Sequence, residues 1–116
     1  MSSSDCLFCK ILRGEIPADY VFESEHVVAF RDINPQASTH VLIIPRQHIA
    51  TINDISEQDV EVVGNLFLAA KQIAAQEGLA DAGYRVVMNC NEAAGQTVFH
   101  LHLHLLGGRR LSWPPG

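Results

Sequence analysis

Histidine recurs at every second position near the C-terminus, at His100, His102 and His104, with leucines between them. The period of two is that of a β-strand, which would place the three imidazoles on one face and the leucines on the other. Because histidine exchanges protons near neutral pH, such a face suits proton transfer, anion binding, metal ligation or nucleophilic attack. The spacing therefore predicts a reactive site on one side of a sheet.

Two cysteines near the N-terminus form a second constellation, Cys6-x-x-Cys9. One CxxC pair is a weak zinc signal by itself, because it needs two more ligands close in space. The chain has 3 cysteines, an odd count that favours reduced or metal-bound thiols over disulfides. The third, Cys90, is expected to pack as a small apolar side chain.

The composition describes a single acidic domain. With 116 residues, 47% of them hydrophobic, residues 1–116 fit one domain around one core. The net charge of -5 argues against a nucleic-acid groove or an anionic membrane surface as the main partner. The polar start lacks the features of a signal peptide, and the aliphatic run at 41–44 is too short to span a bilayer. We therefore expect a cytoplasmic protein.

The elements that must position these residues can be predicted from the pattern. Asp5 is expected to cap a short helix over 6–13, and Ser56 a long helix that ends at Gly78. In that helix an apolar stripe would pack on a sheet; its members are Val60, Val63, Phe67, Ala70 and Ala74. Strands are predicted at 20–23, 27–30, 40–45, 84–90 and 98–106. The result is an α+β domain: a five-stranded antiparallel sheet, backed by helix on one face, with the histidines on the other.

The histidine segment carries a resemblance to a known family. His100-Leu101-His102-Leu103-His104-Leu105-Leu106 resembles the His-φ-His-φ-His-φ-φ signature of the histidine triad (HIT) superfamily. The similarity extends through segments 32–37, 39–40, 44–48 and 95–98, and the ending at 106–109 and 113–116 resembles the Hint branch in particular.

The resemblance implies a purine nucleoside phosphoramidase, a nucleotidyl hydrolase that releases a nucleoside 5′-monophosphate. His102 would attack the α-phosphorus and form a covalent nucleotidyl-imidazole intermediate, while its other ring nitrogen donates to the His100 carbonyl. His104 and His40 resemble the phosphate-side histidines, one of which would protonate the departing amine. Thr97 would place a hydroxyl near the scissile atom. No metal is required for this catalysis.

The same resemblance implies the binding residues. Asp32 corresponds to the carboxylate that accepts from the ribose hydroxyls, and an apolar pocket would hold the purine base. The pocket residues are Leu7, Phe8, Ile11, Phe30 and Ile33, and the phosphate cradle is completed by Asn89 and the backbone of Gly95 and Gln96.

Some bacterial HIT proteins pair a CxxC with two histidines. In this chain those histidines correspond to His48 and His100, so the resemblance implies a Cys₂His₂ zinc site that is closed and structural. It also implies a homodimer, in which the apolar tail around Trp113 would contact the partner subunit.

Three alternatives remain open at the level of the sequence. The first is a dinucleoside polyphosphate hydrolase of the Fhit type. The second is a non-catalytic interaction protein that binds nucleotide or zinc for its structure. The third is a metalloenzyme in which the alternating histidines all bind one ion.

Overall fold

The computed structural model describes residues 5–116; the polar residues 1–4, used above against a signal peptide, lie outside them. The structure comprises two α-helices and five strands in this part of the chain: α1 (Leu7–Leu12), β1 (Tyr20–Glu23), β2 (Val27–Arg31), β3 (Thr39–Pro45), α2 (Val60–Gln76), β4 (Tyr84–Val87) and β5 (Leu103–Gly107). Short 3-10 turns lie at Ile52–Asp54, Glu57–Asp59 and Glu92–Ala94. Within 5–116, neither helix has the length and apolar character needed to cross a bilayer.

The strands form one antiparallel sheet in the order β1-β2-β3-β5-β4. β3 lies in the centre and is buried at all seven positions, as its nearly continuous apolar sequence predicts. β5 is inserted between β3 and β4, so the histidine segment runs beside the most buried strand of the molecule.

Each face of the sheet is covered by its own apolar cluster. Val41 and Ile43 of β3 pack with α2 and the leucines of the histidine segment. Leu42 and Ile44 point to the opposite face and pack with α1. This alternation confirms the predicted antiparallel sheet with the long helix on one side, and it places the short helix against the histidine side.

The histidine strand is shorter than predicted. β5 begins at Leu103, so His100, which lies at a bend, and His102 both precede the regular strand. Continuing the register of Ile43 with Leu103 would set Leu101 opposite Pro45, which has no N–H to donate. The Pro45 carbonyl accepts from His100 Nε2–H, and the Leu101 N–H donates to the Ile49 carbonyl, at 2.6 Å.

The predicted stripe on the long helix was wrong in part. Val60 is 66% exposed and Phe67 51% exposed, because the face of α2 that packs on the sheet is formed by other residues. That face consists of Leu66, Ala69, Ala70, Ile73 and Ala74.

Element ends also differ from the predictions. Ser56 caps the 3-10 turn that precedes α2, and its N–H donates to Asp59 Oδ2 at 2.9 Å. The N-cap of α1 is Cys6, whose Sγ accepts from the Cys9 N–H at 3.4 Å, rather than Asp5. β4 ends at Val87, so Cys90 follows the strand and is half-buried.

Candidate active site

The pairing of β3 with β5 brings two histidines together. His104 lies opposite Leu42 in the sheet, and His40 is two residues before Leu42 on the same face. Diagonal neighbours of this kind lie within reach of long side chains. The His40 Nε2 and His104 Nδ1 atoms are 3.0 Å apart.

The ring of His102 is held by its own segment. Its Nδ1–H donates to the carbonyl of His100, at 2.7 Å. A neutral imidazole has one N–H and one lone pair, so this bond leaves the lone pair on Nε2. Phe8 packs edge-on against the same ring at 5.0 Å between centroids. The geometry therefore fixes one tautomer, in which the lone pair is on Nε2.

A second chain of hydrogen bonds fixes the tautomer of His40. The backbone N–H of Gln36 donates to His40 Nδ1 at 3.0 Å, so a neutral His40 carries its proton on Nε2. That N–H faces His104 Nδ1, and Asp32 Oδ2 lies 3.4 Å from the same nitrogen. His104 accepts on Nδ1 and therefore presents an N–H on Nε2.

Burial favours the neutral form of these imidazoles. It lowers the pKa of His102 and of His40, against the opposing effect of the Asp32 carboxylate. The pKa of His104 is lowered to about 4, by burial first and then by the neighbouring His102 and His40. A neutral His102 needs no strong base to act as a nucleophile.

The two cysteines meet two further histidines beside this group. Cys9 Sγ lies 3.3 Å from His48 Nδ1, Cys6 Sγ lies 3.5 Å from His100 Nδ1, and the two Nδ1 atoms are 3.2 Å apart. All four ligand atoms lie within 4.8 Å of one another. Sequence reasoning predicted this set.

The donor atoms suit a tetrahedral zinc ion. His100 Nε2–H donates to the Pro45 carbonyl at 2.8 Å, which leaves the Nδ1 lone pair directed at the cysteines. Zinc–ligand bonds of about 2.0–2.3 Å give ligand separations of roughly 3.3–3.8 Å, close to the distances found. Burial and the adjacent Cys6 raise the pKa of the Cys9 thiol, because both disfavour the thiolate. A cation bound between the sulfurs would stabilise the thiolate form.

The predicted phosphate cradle lies in the loop before the histidines. Thr97 is exposed there, Asn89 is half-buried and Gly95 adopts a left-handed φ of 87°. The Gln96 side chain is buried and accepts from the Asn91 N–H while donating to the Ala50 carbonyl. Gln96 thus holds the loop in place with its side chain, and its backbone remains the predicted part of the cradle.

The predicted base-pocket residues divide into two groups. Phe8, Ile11 and Phe30 are buried in the cluster beneath α1, where Phe8 and Phe30 pack edge to face. Leu7 is 44% exposed and Ile33 is fully exposed. The first group packs as core beneath the histidines, and the second presents apolar surface at the rim. Trp113, the predicted dimer contact, is 82% exposed.

Some parts of the site have no counterpart in the sequence analysis. The Gln36 N–H and the Pro45 carbonyl each set the tautomer of a histidine. Both are backbone groups, which every residue carries, so no pattern of side chains could reveal them.

Comparison with known proteins identifies the family to which this chain belongs. The family model described as the HIT domain matches residues 13–111. The chain belongs to the HIT domain family. This confirms the resemblance read from the histidine motif.

Relatives of this HIT protein match nearly its whole length. It is 50% identical to the purine nucleoside phosphoramidase of Escherichia coli (strain K12), over 94% of this chain and 92% of that protein. It is 49% identical to a 14 kDa zinc-binding protein of Zea mays, over 100% and 91%. The crystal structure of a HIT family hydrolase from Legionella pneumophila Philadelphia 1 superposes with a TM-score of 0.95 and 59% identity, covering 97% of this chain and 100% of that one. The HIT protein therefore has the fold that its sequence predicts, and the relatives that it resembles include hydrolases.

Proposed function

We propose that this HIT protein is a purine nucleoside phosphoramidase that works through a covalent nucleotidyl-His102 intermediate. The observation that carries the proposal is the His102 ring, whose Nδ1–H is bound to the His100 carbonyl while Nε2 is left free. The relative from Escherichia coli that is named a purine nucleoside phosphoramidase, at 50% identity, supports the choice of substrate class.

The first chemical step joins His102 to the nucleotide. His102 Nε2 forms a bond to the α-phosphorus as the phosphorus–nitrogen bond of the substrate breaks. The departing amine takes a proton from the His104–His40 pair, since a phosphate anion bound beside this pair favours its protonated form. The Nε2–H of His104 and the Thr97 hydroxyl would stabilise charge on the non-bridging oxygens.

The second step releases the monophosphate. A water molecule attacks the phosphorus, the bond to His102 Nε2 breaks, and the proton of the water returns to the His104–His40 pair. His102 regains its lone pair while its Nδ1–H remains on the His100 carbonyl. The second displacement reverses the first, so the configuration at phosphorus is retained.

The binding roles belong to the same proposal. Asp32 accepts from the Asn34 N–H through Oδ1, at 2.8 Å, and carboxylate lone pairs remain for ribose hydroxyls. The exposed Leu7 and Ile33 would cover the purine, with Phe8, Ile11 and Phe30 beneath them. The backbone around Gly95 and Gln96, together with Asn89, would hold the phosphate.

We assign Cys6, Cys9, His48 and His100 to a structural zinc ion. A closed Cys₂His₂ shell has no open position for a reactant, so zinc would contribute stability by joining α1 to the histidine segment. The three-histidine metal site is disfavoured, because among the described residues His100 groups with the cysteines and not with His102 and His104.

A homodimer in the cytoplasm completes the proposal. Phe67 and Leu68 of α2 are 51% and 64% exposed, and Trp113 is 82% exposed, which leaves apolar surface that a second copy would bury. Sedimentation equilibrium should give twice the 12.8 kDa mass of the chain. A monomer at micromolar concentration would contradict this assignment.

The substrate class is tested by comparing adenosine 5′-phosphoramidate with diadenosine triphosphate at equal concentration. We expect kcat/KM for the phosphoramidate to be higher by about a hundredfold or more, because the site must reach and protonate only a small leaving amine. The reverse order would favour a Fhit-type hydrolase. Nucleotide binding without turnover of either compound would favour the non-catalytic interaction protein.

A further inference from the structure

We propose that Arg109 is a positioning residue that, through Gln36, selects the tautomer of His40. The inference rests on the proposed function for its catalytic consequence, whereas the tautomer itself can be measured without turnover. Arg109 follows β5 and its guanidinium lies on the surface, so nothing in its exposure marks it as part of the site.

Three consecutive hydrogen bonds connect Arg109 to the histidine pair. Arg109 Nε donates to the Gln36 carbonyl at 2.8 Å. The Gln36 N–H donates to His40 Nδ1 at 3.0 Å, and the opposite ring nitrogen of His40 lies 3.0 Å from His104 Nδ1. The guanidinium thus restrains the residue whose amide determines where the proton of His40 resides.

The segment that carries Arg109 is shaped to lie against the Gln36 loop. Ser38 Oγ donates to the Gly108 carbonyl at 2.9 Å, which makes a second connection one residue away from the first. Gly108 has a φ of 88°, and a Cβ built on it would come within 2.5 Å of Ser38 Oγ. Only glycine permits this close approach without strain. The loop is therefore held against residues 108 and 109 at two points.

The amide of Gln36 imposes a definite choice on His40. A proton on Nδ1 would face the Gln36 N–H, so two donors would oppose each other and both bonds would be lost. With the proton on Nε2, His40 donates to His104 Nδ1, and the remaining N–H of His104 lies on Nε2. Loss of the restraint from Arg109 would let the loop move and admit the other tautomer.

The bond from the Gln36 N–H to His40 Nδ1 also bears on whether the cluster of Asp32, His40 and His104 binds a metal ion. These three side chains offer ligand atoms within 4.8 Å of one another, a spacing that metal ions accept. A metal on His40 Nε2 would require the proton to move to Nδ1, against the Gln36 N–H. The hydrogen-bond chain therefore keeps this cluster for proton transfer.

The test combines R109A with R110A as the matched control, because the neighbouring Arg110 side chain takes no part in the three bonds. Nitrogen-15 NMR of the ring nitrogens should show His40 and His104 as Nε2–H tautomers in the native protein and in R110A. In R109A we expect a mixture of tautomers at His40, and a fall in kcat of about tenfold with KM changed by less than about twofold. R109K retains a single donor and should recover part of the effect.

Unchanged ring-nitrogen shifts of His40 in R109A would overturn the proposal, whatever the activity. A second pair of variants addresses the amide directly: Q36P removes the N–H, whereas Q36A retains it and loses only the side chain. The Nε2–H tautomer of His40 should persist in Q36A and be lost in Q36P. If the native protein fails to hydrolyse a phosphoramidate, these spectra still decide the positioning role, so the two failures are distinguishable.

Discussion

Replacement of His102 by alanine is expected to lower the release of AMP from adenosine 5′-phosphoramidate by about ten-thousandfold or more. The variant lacks the atom that bonds to phosphorus, and the neighbouring rings cannot substitute for it: His100 Nδ1 faces the cysteines, and His104 Nδ1 accepts from His40. The measurement is AMP formation at matched protein concentration, for the native chain and His102→Ala.

The control for this experiment is His26→Ala, because His26 is an exposed histidine outside the site, with 58% of its side chain accessible. It should turn over substrate at the native rate. A nucleotidyl adduct on the native protein, stable to alkali and labile to acid as expected of a phosphorus–nitrogen bond, should be absent from His102→Ala. Activity that survives in His102→Ala would eliminate the covalent route.

Removal of the zinc site is expected to have the largest effect on stability. Cys9→Ser, or treatment with a strong chelator, should lower the free energy of unfolding by about 3–5 kcal/mol, since loss of a structural metal is among the most destabilising changes known. For a domain of this size that corresponds to a fall in Tm of about 10 °C or more. Cys90→Ser is the control, because Cys90 lies outside the cluster.

The zinc experiment also has a catalytic readout. His100 joins the two sites, since its ring belongs to the cysteine cluster and its carbonyl accepts from His102, the proposed nucleophile. We therefore expect chelation at a temperature where the protein stays folded to reduce kcat as well as Tm. Native metal analysis should give one zinc per chain; a metal-free protein with unaltered stability after Cys9→Ser would refute the structural role.

Sequence reasoning was most successful where the physical rule is local. Alternation at period two assigns Leu101, Leu103 and Leu105 to the core under α2 and the histidines to the other face, and this assignment held even where the regular strand did not. The apolar run of β3 likewise identified the central strand. Both rest on the same property, that burial follows directly from side-chain type.

Sequence reasoning was less successful where contacts with neighbouring elements determine the structure. The start of β5 depends on Pro45 in the adjacent strand, which offers no N–H to Leu101, and no pattern within the histidine segment reveals this. Phe67 of α2 is apolar yet half exposed, because the rotation of the helix about its axis is set by how Leu66, Ala70 and Ile73 fit the sheet.

The sequence alone was sufficient to identify the family, the candidate reactive residues and the four donors of the metal cluster, because these follow from side-chain chemistry and spacing. The positions of the ring protons on His40 and His100, in contrast, followed from the tertiary structure. The Gln36 N–H, four residues away in the chain, places the proton of His40, and the Pro45 carbonyl, 55 residues away, places that of His100. Since every residue has such groups, their effect depends entirely on where folding brings them.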